Sequence, residues 1–514
     1  MIQMILLLIL TTLLAAISIR FAIIYALANN IADHPGGHKQ HDTVTPFVGG
    51  IGLLIAFSIA LIVLFHNQPE FWIKWLALGI AAAIVFIIGL LDDIFHLNYK
   101  IRFLAQGIVA LIMIFMGGVQ LSELGTLISN NQVLELGLFA IPLTMFATIG
   151  GINALNMIDG IDGLAGTLSW ITLLLISILA FLGGDQANTT LAIALVGGIS
   201  GFLYFNLRYS TQNRARVFLG DNGSMLLGFL FAWLLVDLSQ GSHASMTPVT
   251  AIWLFAVPLM DTVTVMLRRI WLRQSPFVPD HNHLHHILLH AGFRIEDTVF
   301  VIGTLHLILG SFGLVGLYLG IPESIMFFSF LVIYTGYFYL TQHPWYIMSS
   351  LRHLHNFLGL LPTDDYGVFL GSYSAREAET LVKMVCKELG PSVDSWVHVI
   401  EQQSSNDYAE KRYSVAVNIR LSSTDYVTDE EISQYIAKLS HRMMERWGIR
   451  VRQFVKRNIK NDRRIKDIGN PLGGNFRVSE RRSIEIPILM FEAMFDKLAI
   501  ERNNHSEESI SETR

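Results

Sequence analysis

The sequence predicts an α-helical polytopic membrane protein of about eleven transmembrane helices, followed by a small α+β cytoplasmic domain. Three observations predict it. The 514 residues are 52% hydrophobic and only 15% charged. The charge is uneven: residues 1–345 carry 12 Lys/Arg and 17 Asp/Glu, while 346–514 carry 24 of each. Finally, apolar stretches long enough to cross a bilayer recur throughout the first part, and amphipathic periods replace them in the second.

In order, the apolar stretches fall near 4–28, 47–66, 71–91, 103–120, 136–155, 164–183, 189–206, 224–238, 247–267, 298–319 and 324–341. The first is too long for a signal-peptide core and lacks a basic leader, so it reads as a retained helix with an outside N-terminus. One set of connecting loops holds Lys39, Lys100, Arg102, Arg208, Arg214, Arg216, Arg268, Arg269, Arg273 and Arg294. The alternate loops, near 67–70, 121–135, 184–188, 239–246 and 320–323, hold no Lys or Arg. The positive-inside bias makes the first set cytoplasmic. This divides the chain into a membrane domain (1–345), a cytoplasmic α+β domain (346–502) and a disordered polar end (503–514).

Net charge of −5 gives no reason to expect nucleic acid. The single cysteine, Cys386, excludes an intramolecular disulfide and a cysteine metal cluster, and reads as a small buried hydrophobe.

Polar side chains gather on the cytoplasmic loops. Charge beside hydrocarbon is costly and is read first as functional. The first cluster is Asp33, Pro35, Lys39, His41, Pro46, Gly49 and Gly50; a plain positive loop explains it equally well. Asp92 and Asp93 end an apolar helix, ahead of Lys100, Arg102 and Gln106. Adjacent carboxylates repel and call for a cation or for water. Asn153, Asn156 and Asp159 recur every third residue and share a helix face, followed by Gly160, Asp162 and Gly163. Such an array suits base, ribose or metal contacts. Gly220, Asp221, Gly223 and Ser224 open another span, preceded by Asn206, Arg208, Arg214 and Arg216. Asp221 at a helix start benefits from the dipole, and an oxygen ligand there suits Mg²⁺. A helix cap explains it less fully. The last cluster is Asp280, His281, His283, His285 and His286, with intramembrane Asp261 pointing to the same face. A zinc site competes for the histidines, but imidazoles also suit phosphate oxygens.

The runs LLDD (90–93), NALNMIDGIDGL (153–164), FLGDNGSMLLGF (218–229) and SPFVPDHNHLHH (275–286), in this order on one face, resemble the polyprenyl-phosphate N-acetylhexosamine-1-phosphate transferase family. The H-x-H-H form is closest to the branch that uses UDP-N-acetylglucosamine and undecaprenyl phosphate. The resemblance covers about residues 1–345 and implies transfer of a sugar phosphate to a lipid phosphate, with UMP leaving. It implies Asp92, Asp93 and Asp221 as the catalytic acids, with Asp221 and Asp93 holding Mg²⁺, or Mn²⁺ in its place. It implies substrate contacts at Lys39, His41, Asn153, Asn156, Asp159, Asp162, Asn206, His283, His285 and His286. The partners are then a UDP-N-acetylhexosamine, undecaprenyl phosphate and the bilayer of a bacterial inner membrane, with a second copy of the chain as a candidate. Two departures stand out: His281 occupies a position where the family usually has arginine, and the chain continues some 170 residues past the last span. A transporter is the competing class, but a path needs polar groups through the membrane depth rather than at one face.

In the tail, Ser374 and Glu377 form a capping box and Gly390-Pro391 a stop. Thr428 and Glu431 start a second helix. Residues 396–400, 413–421 and 449–455 read as strands, giving an α-β-β-α-β order of ferredoxin-like type. The basic run 450–466 reads as a solvated face or a contact with anionic lipid.

Overall fold

In the computed structural model, the described residues are 2–29, 45–127, 132–209, 211–241, 244–271, 273, 283–291, 293–342, a few positions up to 358, and four later strands. Expectations at Lys39, His41, Asp280 and His281, the two tail helices and the 503–514 end lie outside them.

The chain divides into two compact units, one comprising 1–285 with 294–342, the other 286–293 with 343–514. The first unit is helical: α1 (Ile2–Ala28), α2 (Gly50–Asn67), α3 (Trp72–Phe95), α4 (Tyr99–Phe115), α5 (Ala140–Ile158), α6 (Leu164–Leu182), α7 (Gln186–Asn206), α8 (Gly220–Asp237), α9 (Pro248–Leu254), α10 (Ala256–Trp271), α12 (Ile295–Tyr318) and α13 (Glu323–Gln342). A short α11 (Leu284–His290) lies between α10 and α12. Among the described residues, eight helices are long and apolar enough to cross a membrane, and nine if the bent pair α9–α10 counts as one span. The α4 and α8 helices coincide with two further apolar stretches but fall short of that measure. The 17-residue α4 is brief, and α8 begins with a polar turn and ends on Asp237.

The stretch 247–267, read above as one uninterrupted span, is corrected here. It is α9 and α10, bent by 84°. Pro258 supplies the reason. It has no N–H to give the carbonyl four residues back, that of Leu254, so the ladder opens there. The Thr172 hydroxyl in α6 donates to that carbonyl at 3.2 Å.

Lipid is as apolar as leucine, so helices in hydrocarbon associate where small residues permit close packing. The central helix α8 is buried from Asn222 to Leu234. A Cβ on its Gly228 would lie 2.5 Å from the Ile152 Cα of α5, and a Cβ on Gly89 of α3 would lie 2.5 Å from the Asn222 Cα. These approaches clamp α8 between α3 and α5.

In the second unit, β1 (Val393–Gln402), β2 (Arg412–Leu421), β3 (Arg450–Asn458) and β4 (Pro487–Met494) form an antiparallel sheet in the order β1-β2-β4-β3. Register places Val415, Val417 and Ile419 of β2 beside Ala493, Phe491 and Leu489 of β4.

Candidate active site

Three helix ends meet: the C-terminus of α3, the C-terminus of α5 and the N-terminus of α8. Each brings carboxylates because the sequence breaks there into polar residues.

The start of α8 lacks a local cap. Leu219 precedes it with no side-chain bond, and Gly220 turns the chain with φ at 76°. The cap arrives from α3 instead. Asp93 accepts from the Asp221 and Asn222 amides at 2.9 and 3.1 Å, and from Asn222 Nδ2 at 2.5 Å. A carboxylate at the positive end of a helix satisfies orphan donors and complements the dipole. Asn222 Nδ2 also donates to the Phe47 carbonyl at 2.9 Å, tying in the segment before α2.

Asp221 turns its side chain away from the helix axis. Its Oδ1 accepts from Asn156 Nδ2 at 2.6 Å, and the same amide lies 3.0 Å from Ser224 Oγ. Arg102 reaches back from the first turn of α4 to Asp92 at 2.5 Å and lies 3.9 Å from Asp221. Asn98 makes this return possible, since its side chain caps α4 by accepting from Lys100 N at 3.0 Å. Asn153 donates to Gln106 Oε1 at 2.8 Å, joining α5 to α4.

Asp159 follows α5 directly and accepts no hydrogen bond among the described residues. Burial, then the charges of Asp221, Asp93 and Asp162, push its carboxyl up to about 8. Asp162 and Asn206 face inward. Asp162 accepts from Arg208 Nε at 2.7 Å and from Ala215 N at 3.1 Å. Asn206 accepts from Gly163 N and donates to the Val217 carbonyl, both at 2.8 Å. Their polar atoms brace the loops around the acids.

His283 and His285 stack at 5.5 Å with rings 10° apart. His285 closes against the acidic loop, because a Cβ on Gly160 would lie 2.7 Å from its Nε2. Asp261 bonds to His283 Nδ1 at 2.6 Å. His286 is half-buried and falls in the second unit.

The structure therefore brings together Asp92, Asp93, Asn153, Asn156, Asp159 and Asp221, with His285 alongside. Sequence reasoning left out Asn222, whose pattern matched an ordinary helix start. It also left out Tyr337, since a tyrosine near the end of a span is a common interfacial residue.

The donor set fits a magnesium ion. Mg²⁺ takes one or two carboxylates and fills its octahedron with water and phosphate oxygens. Asp221, and an Asp159 crowded by neighbouring acids, offer that ligation. Among the described residues no group of three or more His, Cys, Asp or Glu is placed to hold a metal ion, so the protein would offer at most two such ligands.

Residues 75–239 match the model of glycosyl transferase family 4. The undecaprenyl-phosphate α-N-acetylglucosaminyl 1-phosphate transferase of Escherichia coli K12 is 34% identical over 328 residues, 63% of this chain and 87% of that protein. The chain belongs to glycosyl transferase family 4. The identically named proteins of Salmonella typhimurium and Haemophilus influenzae are 33% and 34% identical, covering 64% of this chain and 88% and 92% of their own lengths. The segment matched to family 4 contains Asp92, Asp93, Asp159, Asp162 and Asp221 and ends before Asp261 and the histidines. About a third of this family 4 chain lies outside each of the alignments with these relatives.

Proposed function

We propose that this chain transfers N-acetylglucosamine 1-phosphate from UDP-N-acetylglucosamine to undecaprenyl phosphate, releasing UMP and starting a lipid-linked envelope polysaccharide. The reaction takes place at the cytoplasmic face of a bacterial inner membrane, where the positive loops lie. The observation carrying this reading is the convergence of Asp93, Asp159 and Asp221 from three distant stretches onto one end of the helix bundle. The names of the relatives support undecaprenyl phosphate as the acceptor and N-acetylglucosamine 1-phosphate as the group transferred, and the UDP-linked donor is part of the proposal.

The acceptor phosphate is largely dianionic at neutral pH, so an oxygen of it attacks the sugar-linked phosphorus without needing a strong base. The bond from that phosphorus to the bridging oxygen breaks, and UMP leaves with the electron pair. Two anions must approach, so the barrier is electrostatic. Bound Mg²⁺ would neutralise the diphosphate and the leaving oxygen. Asp221 is the leading ligand, oriented by Asn156, with Asp159 facing it. Asp93 acts by holding the α8 N-terminus that carries Asp221. Arg102 pairs with Asp92 beside the acceptor. We assign Asp162 and Asn206 to bracing the loops, and Lys39, His41 and the histidines to phosphate or sugar. The second unit reads as an α+β domain on the cytoplasmic side.

The test is an assay of the purified full chain with labelled UDP-sugars, undecaprenyl phosphate and Mg²⁺. The wild type makes a lipid-linked pyrophosphate sugar and UMP. Asp221→Asn lowers kcat by about 10²–10³, as loss of one transition-state contact does. No product and no UMP from the wild type overturns the reading, and a product from another UDP-hexosamine alone replaces the sugar.

A further inference from the structure

Asp261 sits in α10, three residues past Pro258 and 2% exposed. A carboxylate placed so near hydrocarbon is costly unless fully paired. It is paired three ways. Oδ2 meets His283 Nδ1 at 2.6 Å, while Oδ1 accepts from the Tyr337 hydroxyl at 2.6 Å and the Leu284 amide at 3.0 Å. The donors come from the segment after α10 and from α13, so one carboxylate joins three parts of the membrane unit.

The bend that delivers Asp261 is itself held. The Thr172 hydroxyl lies 3.2 Å from the Leu254 carbonyl and 2.8 Å from His306 Nε2 of α12. A relay from α12 through α6 thus fastens the break opened by Pro258. One turn further on, α10 presents Asp261 to His283.

With Nδ1 bonded to Asp261, His283 can meet a ligand only through Nε2. Its ring stacks on His285, which lies against Gly160 of the acidic loop. We propose that Asp261 and Tyr337 are positioning residues, which fix the ring orientation and tautomer of His283 so that Nε2 meets a substrate phosphate oxygen. This rests on the transfer reading above. The phosphate belongs either to the UDP-sugar or to the lipid acceptor, and the kinetics distinguish them.

The experiment is steady-state kinetics on the full chain, varying each substrate separately, for Asp261→Asn, Tyr337→Phe, His283→Gln and the two doubles with His283→Gln. Asp261→Asn lowers kcat/KM about 10–100-fold, the usual cost of losing a partner that orients a ligating histidine. The loss falls on the UDP-sugar if His283 serves the donor, and on undecaprenyl phosphate if it serves the acceptor. The decisive readout is the double-mutant cycle. Once His283 is glutamine, neither Asp261→Asn nor Tyr337→Phe costs anything further. Losses that multiply in the doubles overturn the proposal, and so does an Asp261→Asn protein with wild-type kinetics. Should Asp261→Asn fail to fold, Tyr337→Phe removes a single hydroxyl and carries the same cycle. A wild type without activity sinks the transfer reading instead, so the two failures are told apart.

Discussion

Asp93 caps a helix that lies 128 residues further along the chain. Its neighbour Asp92 pairs with Arg102 instead, so two adjacent and chemically identical side chains are divided between scaffold and ion pair by their helical directions. Asp159 differs from both in accepting no hydrogen bond among the described residues, which leaves its charge to be met by a cation. Its carboxyl is pushed up to about 8, so below that pH the cation-free protein holds a proton that a metal must displace. Mg²⁺ affinity should therefore rise by about tenfold per pH unit between pH 7 and 8 and then level off, and more steeply below pH 7, where burial leaves a proton on Asp221 as well by pushing its carboxyl up to about 7. Calorimetric titration across that range checks it, and Asp159→Asn should flatten the slope. An equal slope in that variant would place the proton elsewhere. The acids themselves were legible in the sequence because carboxylates between apolar runs are conspicuous. Their division of labour was not, since Asp93 and Asp221 look alike until the chain brings them together. Asp162 and Asn206 show the same limit from the other side: they sit in the right strings, yet Asp162 is spent on Arg208 and the Ala215 amide, and Asn206 on the backbone.

Helices were legible because hydropathy reports length and polarity directly. The bend between α9 and α10 was not, since an apolar stretch reads alike whether straight or broken. Pro258 was the one local sign of it. In the second unit, β1, β2 and β3 overlap the stretches read as strands. β4 was missed because Ile488-Leu489-Met490-Phe491 is a continuous apolar run without alternation. At this scale the close approach of α3 to α8 makes a prediction. Gly89→Ala puts a methyl 2.5 Å from the Asn222 Cα and the Asp221 carbonyl, both backbone atoms that cannot swing aside. Overpacking should cost about 1–3 kcal/mol and displace the turn holding Asp221, lowering activity and melting temperature together. Gly107→Ala in α4 is the control, because its methyl would meet only Met145 Cε at 3.9 Å. If Gly89→Ala melts and turns over like the wild type, α3 does not clamp α8 at Gly89.

For the whole molecule, the two units differ in what their sequences carry. The first holds every acid of the site, and the alignments with relatives of known activity cover 63–64% of this chain. The second includes 286–293 as well as the tail, so the seam does not fall at a single point. Phe293 is fully buried, and the His355 ring packs against it at 5.0 Å and 80°. Removing everything after Gln342 would strip that cover from the segment that follows His283 and His285. Removing only the residues after Leu358 would leave it in place. A chain ending at Leu358 should keep transferase activity in membranes, whereas one ending at Gln342 should lose much of it, with the KM for the substrate held by His283 rising first. Assaying both at matched expression checks this. Equal activity would show that the histidine segment needs nothing from the second unit. Equal inactivity would show instead that the sheet of β1 to β4 is required for the reaction.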